Sequence, residues 1–188
     1  MGKVEVLTQS AERIGERPFV PSLLRFDHQC LTILQRSSLV VNPYEGCGLL
    51  LGTGCWTPLL TLVTVWPCCN VWGMSEFSVN GSGRGSRLSR FSLDPREQIA
   101  AQRWARSRDL QVLGVYHSHP RTPAKPSNWD RCLAEPERLM LILSGIEGLR
   151  AWWMGSDRKP LEILIEVCEN HHTYAAEPTL LDAESVRE

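Results

Sequence analysis

The apolar positions of this chain fall into short runs separated by turn-forming residues, and their period shifts from helical to strand-like as the chain proceeds. After Asp27, residues Cys30, Leu31, Ile33 and Leu34 recur at helical spacing, which predicts an amphipathic helix capped by Asp27 and closed at Asn42-Pro43. Residues 47–51 and 59–66 are two nearly continuous apolar runs joined by Gly52-Thr53-Gly54-Cys55-Trp56-Thr57-Pro58, the pattern of a strand hairpin. Their unbroken apolar character predicts burial on both faces, as in a sheet sandwiched by helices. Asp94-Pro95-Arg96-Glu97 supplies a cap, a proline at the first helical position and an early acid, opening a helix that runs to Arg108 with Ile99, Ala100, Trp104 and Ala105 turned inward. Residues 111–116 form a short buried strand that ends at His117 and His119. A short helix from Asp130 to Glu135 stops at Pro136, and residues 139–143, 149–154 and 161–167 follow as three further strands, with turns at 145–148 and 155–160.

This alternation predicts an α/β fold with a mixed sheet. The domain occupies residues 23–168. Residues 1–22 form an extension or an edge strand, and residues 169–188 form a polar, acidic tail whose one suggestive pair is His171-His172. Residues 70–90 stand apart, because Gly81-Ser82-Gly83-Arg84-Gly85-Ser86 is flexible by composition and is flanked by Trp72, Met74, Phe77 and Leu88. No Lys-Ser pair follows the glycines and no strand feeds a helix there, which argues against a phosphate cradle. A solvated loop is the default, and a flap that touches substrate is the alternative.

Composition narrows the function classes without choosing among them. At 188 residues the chain can bury one sound core, and 43% hydrophobic against 22% charged residues is ordinary for a globular protein. A net charge of −1 gives no general attraction to nucleic acid or to an anionic membrane. No apolar run is long enough to span a bilayer, so a cytoplasmic location is expected. The seven cysteines include no Cys-x-x-Cys pair, so neither a disulfide framework nor a cysteine zinc knuckle is indicated. Cys47, near Glu45, suits packing in an apolar strand better than a nucleophile's role.

The chemistry concentrates in residues 117–130. Side chains alternate across a strand, so His117 and His119 share a face and Ser118 points to the other. Two imidazoles at a strand end can hold one metal, and Asp130, after a proline-rich return through Pro120, Pro123 and Pro126, is placed to give a third ligand. Two nitrogens and a carboxylate suit zinc and leave a fourth position for water, as in a catalytic site. Taken alone, Ser127-Asn128-Trp129-Asp130 is closer to a helix capping box, and His-x-His by itself is weak. The joint pattern favours the metal.

His117-x-His119 followed by Ser127 and Asp130 resembles the signature of the JAMM (MPN-plus) metalloproteases. The upstream Pro43-Tyr44-Glu45-Gly46-Cys47-Gly48-Leu49-Leu50-Leu51-Gly52 resembles that family's glutamate context. The resemblance covers residues 45–154 and looks most like the stand-alone prokaryotic members. It implies a three-layer, cytidine-deaminase-like MPN fold and one zinc per chain on His117, His119 and Asp130. It also implies Glu45 as general base and Ser127 as oxyanion donor. The implied reaction is hydrolysis of a peptide or isopeptide bond after the carboxyl-terminal Gly-Gly of a ubiquitin-like or sulfur-carrier protein, with no nucleic-acid or membrane partner. Two alternatives remain: a metal-free MPN scaffold that binds partners, and a hydrolase of small amides. The zinc deaminases need His-x-Glu and Pro-Cys-x-x-Cys, and zincins need His-Glu-x-x-His, none of which is present.

Overall fold

The computed structural model describes residues 20–54, 57–74 and 85–169. Seven strands and three helices follow in the order β1 (Leu23–Asp27), α1 (His28–Val40), β2 (Cys47–Thr53), β3 (Leu59–Cys68), α2 (Pro95–Arg106), β4 (Gln111–His119), α3 (Asn128–Leu133), β5 (Arg138–Ser144), β6 (Gly148–Met154) and β7 (Pro160–Cys168). Each helix begins at a residue whose side chain accepts a main-chain N–H: Asp27 from Cys30, Asp94 from Arg96 and Ser127 from Asp130. The strands are hydrogen-bonded in the ring β1-β3-β2-β4-β5-β6-β7. Three pairs are parallel (β1 with β3, β1 with β7, β4 with β5) and the other four antiparallel. The α/β class and the mixed sheet are therefore observed.

The expected helix-flanked, three-layer open sheet is not, because the ladder closes into a barrel. The cause is β1, a strand missed by the sequence pattern, which pairs with β3 through Leu23–Arg25 and with β7 through Leu23–Asp27. The closure is loose on one side. Beyond Thr61, β3 has β2 as its only partner among the described residues, and Pro67, which has no N–H to give, sits in that half.

The barrel interior holds Leu24, Phe26, Leu50, Leu60, Leu113, Tyr116, Leu141 and Trp153, and α1 packs against this core through Cys30 and Leu34. Helix α2 covers Leu49 and Leu51 on the outer face, and the stretch from Ala124 to Ala134 covers Met140, Ile142 and Trp152. Two expectations about faces need correction. β2 is buried on both faces, but β3 alternates and buries Leu60, Leu62 and Val65. In α2 the buried residues are Ala101 and Ala105, while Ile99 and Ala100 face solvent. The helix is rotated so that Trp104 packs on Trp66, ring centroids 5.6 Å apart. Gly114 allows β4 to approach β5 closely, since a Cβ there would lie 1.8 Å from the Leu139 carbonyl oxygen. Among the described residues, no helix is long and apolar enough to cross a membrane.

Candidate metal centre

His117 and His119 lie at the carboxyl end of β4, within the strand rather than just after it. Strand alternation puts both imidazoles on the outer face, and their Nε2 atoms converge to 3.0 Å. The Pro123 carbonyl lies 2.7 Å from His119 Nδ1, so this nitrogen carries the proton and Nε2 presents a lone pair. His117 is fully buried. Its Nδ1 has no partner, and its ring is held instead by Phe91, stacked at 4.5 Å with an interplanar angle of 19°.

Asp130 opens α3. Its Oδ2 accepts the Ser127 N–H at 2.7 Å while Ser127 Oγ accepts the Asp130 N–H at 3.1 Å, a complete capping box. The same Oδ2 lies 3.7 Å from Nε2 of each histidine. The capping box and the ligand cluster, alternatives in the sequence, coincide in the structure: the box aims the carboxylate at the imidazoles. At 3.7 Å these contacts are too long for hydrogen bonds. One ligand atom from each of the three buried residues lies within 4.8 Å of the others, a group that could hold a metal ion.

The proline-rich return is locked. Ser144 Oγ donates to Thr122 O at 2.7 Å, Trp152 Nε1 to Ala124 O at 2.8 Å, and the Ala124 N–H to Glu147 Oε2 at 3.0 Å. Glu45 lies in the connection between α1 and β2. It is buried, and its Oε2 has no hydrogen-bond partner among the described residues.

Electrostatics separate the carboxyl groups. Burial pushes the Glu45 carboxyl up to about 7, with His119 and Arg90 pulling it down and Asp130 pushing it further up. Burial also disfavours the Asp130 carboxylate, but His117, His119 and Ser127 beside it outweigh this and hold its pKa well below the usual range. Burial lowers His117, whereas for His119 the same penalty is exceeded by Asp130, the Pro123 carbonyl and Glu45, which raise it. Two buried nitrogens facing one another, one with its lone pair fixed by tautomer, beside an ionised carboxylate form a donor set that could hold a metal ion.

Of the five residues singled out in the sequence, the structure groups His117, His119 and Asp130, with Ser127 capping the helix that Asp130 opens and Glu45 buried within electrostatic reach of His119 and Asp130. It adds Phe91, Ser118 and Asn70. Alternation could have directed attention to Ser118, but nothing in the local pattern marks Asn70 or Phe91. Cys47 is buried among apolar residues under α2, and burial raises its thiol, which agrees with a packing role. Of the proposed flap, Phe77 and residues 80–84 lie outside the described residues, as do Cys55, Trp56 and His171-His172. Trp72 meets Trp129 edge to face at 5.9 Å, and Arg90 lies over the Trp129 ring at 5.2 Å.

A family model describing prokaryotic homologs of the JAB domain matches residues 29–155. No curated protein matches the chain. Among solved structures, protein DSY2949 from Desulfitobacterium hafniense is similar at 27% identity and a TM-score of 0.65, over 80% of this chain and 97% of that one. A protein from Salinibacter ruber is similar at 26% identity and a TM-score of 0.50, over 76% of this chain and 91% of that one.

Proposed function

Because the chain belongs to the family of prokaryotic homologs of the JAB domain, we propose that it is a zinc-dependent peptidase or isopeptidase. Its substrate would be the amide bond after the carboxyl-terminal Gly-Gly of a ubiquitin-like or sulfur-carrier protein. The observation that carries this reading is the buried carboxyl of Glu45, whose Oε2 has no hydrogen-bond partner among the described residues and whose pKa, pushed up to about 7 by burial, feels both His119 and Asp130 of the His117-His119-Asp130 group. A proton acceptor works best when its pKa lies near the working pH.

His117, His119 and Asp130 would hold a zinc ion, which would supply Lewis acidity toward water and toward a carbonyl oxygen. Glu45 takes a proton from the attacking water at Oε2 and returns it to the leaving amine. Ser127 Oγ already accepts the Asp130 N–H, which leaves its own O–H to donate to the developing oxyanion. Pro123 holds His119 in the tautomer that presents Nε2. Trp72, Trp129 and Arg90 pack on one another, and Trp129 directly precedes Asp130, which makes this cluster our candidate surface for a substrate tail. Six free cysteines among the described residues suit a reducing, cytoplasmic setting.

The test uses zinc-loaded protein and a ubiquitin-like protein ending in Gly-Gly, fused to a short peptide. Cleavage after the second glycine is expected, with strong loss when that glycine becomes valine. Full zinc content with no cleavage would favour a scaffold. Indifference to the glycine, with efficient hydrolysis of small amides, would favour a small-molecule hydrolase.

A further inference from the structure

The main chain of Glu45 and Gly46 is saturated with hydrogen bonds drawn from three separate segments. The Glu45 N–H donates to Arg87 O at 2.8 Å, and Glu45 O accepts from Asn70 Nδ2 at 2.9 Å. The Gly46 N–H donates to Ser118 Oγ at 2.8 Å, and Gly46 O accepts the Ser118 N–H at 2.8 Å. Position 46 is tight: a Cβ there would lie 3.0 Å from Ser38 Cα and 3.1 Å from Val41 Cγ2, so these neighbours would have to give by a few tenths of an ångström. The Glu45 carboxylate, by contrast, keeps Oε2 without a partner.

Asn70 is fully engaged. Its two Nδ2 hydrogens go to Glu45 O and Arg90 O, both at 2.9 Å, and its Oδ1 accepts from Trp72 N at 3.1 Å and Ser92 N at 3.2 Å. Both nitrogen partners are carbonyls and both oxygen partners are N–H groups, which fixes the amide's orientation. One carboxamide therefore ties the main chain at Glu45 to both ends of the segment that carries Trp72, Arg90 and Phe91. Ser118 closes the other side from within the His117-Ser118-His119 triplet, so its hydroxyl couples the register of the two histidines to that of Glu45.

We propose that Asn70 and Ser118 are positioning residues that clamp the Glu45-Gly46 peptide and so set the distance between the Glu45 carboxylate and the histidine pair. Asn70 in addition ties Glu45 to the main chain at Trp72, Arg90 and Ser92. The inference rests on the reading of Glu45 as the proton acceptor. Neither residue touches the reacting atoms.

The experiment compares Asn70→Asp, which keeps the two acceptor bonds and loses both donors, with Ser118→Ala, which removes only the bond to Gly46, and with Glu45→Gln as reference. Each is loaded with Zn2+ for turnover of the Gly-Gly fusion and with Co2+ for the pH dependence of its visible spectrum. Both clamp variants should retain a full equivalent of metal, lose about ten- to a hundredfold in kcat with KM within about twofold, and move the Co2+ spectral transition toward that of Glu45→Gln. Wild-type kcat, or a rise in KM alone with a wild-type Co2+ transition, would overturn the clamp. If Asn70→Asp fails to fold, Ser118→Ala decides alone. A shifted transition in a protein that cleaves no Gly-Gly fusion would leave the clamp standing and remove the substrate assignment. A transition that Glu45→Gln itself leaves untouched would overturn the base assignment and the clamp with it.

Discussion

His117, His119 and Asp130 are held by a compact stretch of chain, in which Pro123, Ser127, Ser144 and Trp152 all act within residues 117–152. The Glu45-Gly46 peptide is held by Asn70, 25 residues from Glu45, and by Ser118, 72 residues from Gly46. The first wall is a strand end, a locked return and a capped helix, each of which folds with its neighbours in sequence. The second is a short connection whose position depends on two loops and on β4. Metal retention and turnover should therefore be separable, and perturbations of the second wall should affect chemistry before they affect binding.

The largest effect should come from the first wall. His119→Ala removes one of two converging nitrogens and should abolish both zinc binding, read by elemental analysis, and turnover. A full equivalent of zinc in that variant would refute the ligand set.

Glu45→Gln should keep its metal and lose about a hundred- to ten-thousand-fold in kcat. It also has a pH signature in chelator-stripped protein. The folded carboxyl, pushed up to about 7, holds its proton where the unfolded one, near 4.5, has released it. Ionisation therefore destabilises the fold progressively between those values and fully above pH 7. Glutamine removes a penalty of about 3 kcal/mol at pH 8 and none at pH 4. Thermal melts should show a higher midpoint for the variant at pH 8 alone, and equal gains at both pH values would contradict the buried-carboxyl account.

Ser127→Ala joins the two effects. It removes an oxyanion donor, costing about a hundredfold in kcat, and a helix cap, costing about 0.5–2 kcal/mol. Turnover falling with an unchanged melting midpoint would show that the box is not needed for α3. Phe91→Leu is the mildest. It reaches from the second wall to the first, and loss of its stacking on His117 should weaken zinc affinity by about tenfold. An unchanged affinity by competition with a chelating dye would show that His117 needs no such support.

Much of this was readable from local pattern. Asp27, Asp94 and Ser127 announce their helices because a cap acts within three residues. His-x-His with Ser127 and Asp130 points to the candidate metal group because alternation and capping are short-range rules. The closure of the barrel was not readable, since β1 is five residues long and gains its place from strands far along the chain. The face of α2 was misjudged because Ile99 is apolar yet lies off the stripe that Ala101 and Ala105 bury. Asn70 and Phe91 escaped for a related reason: one acts through other residues' main chain and the other through a ring it meets only after folding.

The pairing of β1 with β7 sets a timetable for the molecule's birth. Leu23 pairs with Leu164, and no ribosome can deliver the second until it has made everything between. At about 5–20 residues per second, the nascent β1 waits roughly 7 to 30 s for its neighbour. Through that interval Leu24 and Phe26 have no ring to enter, and the late β7 meets a strand that has had to avoid other partners.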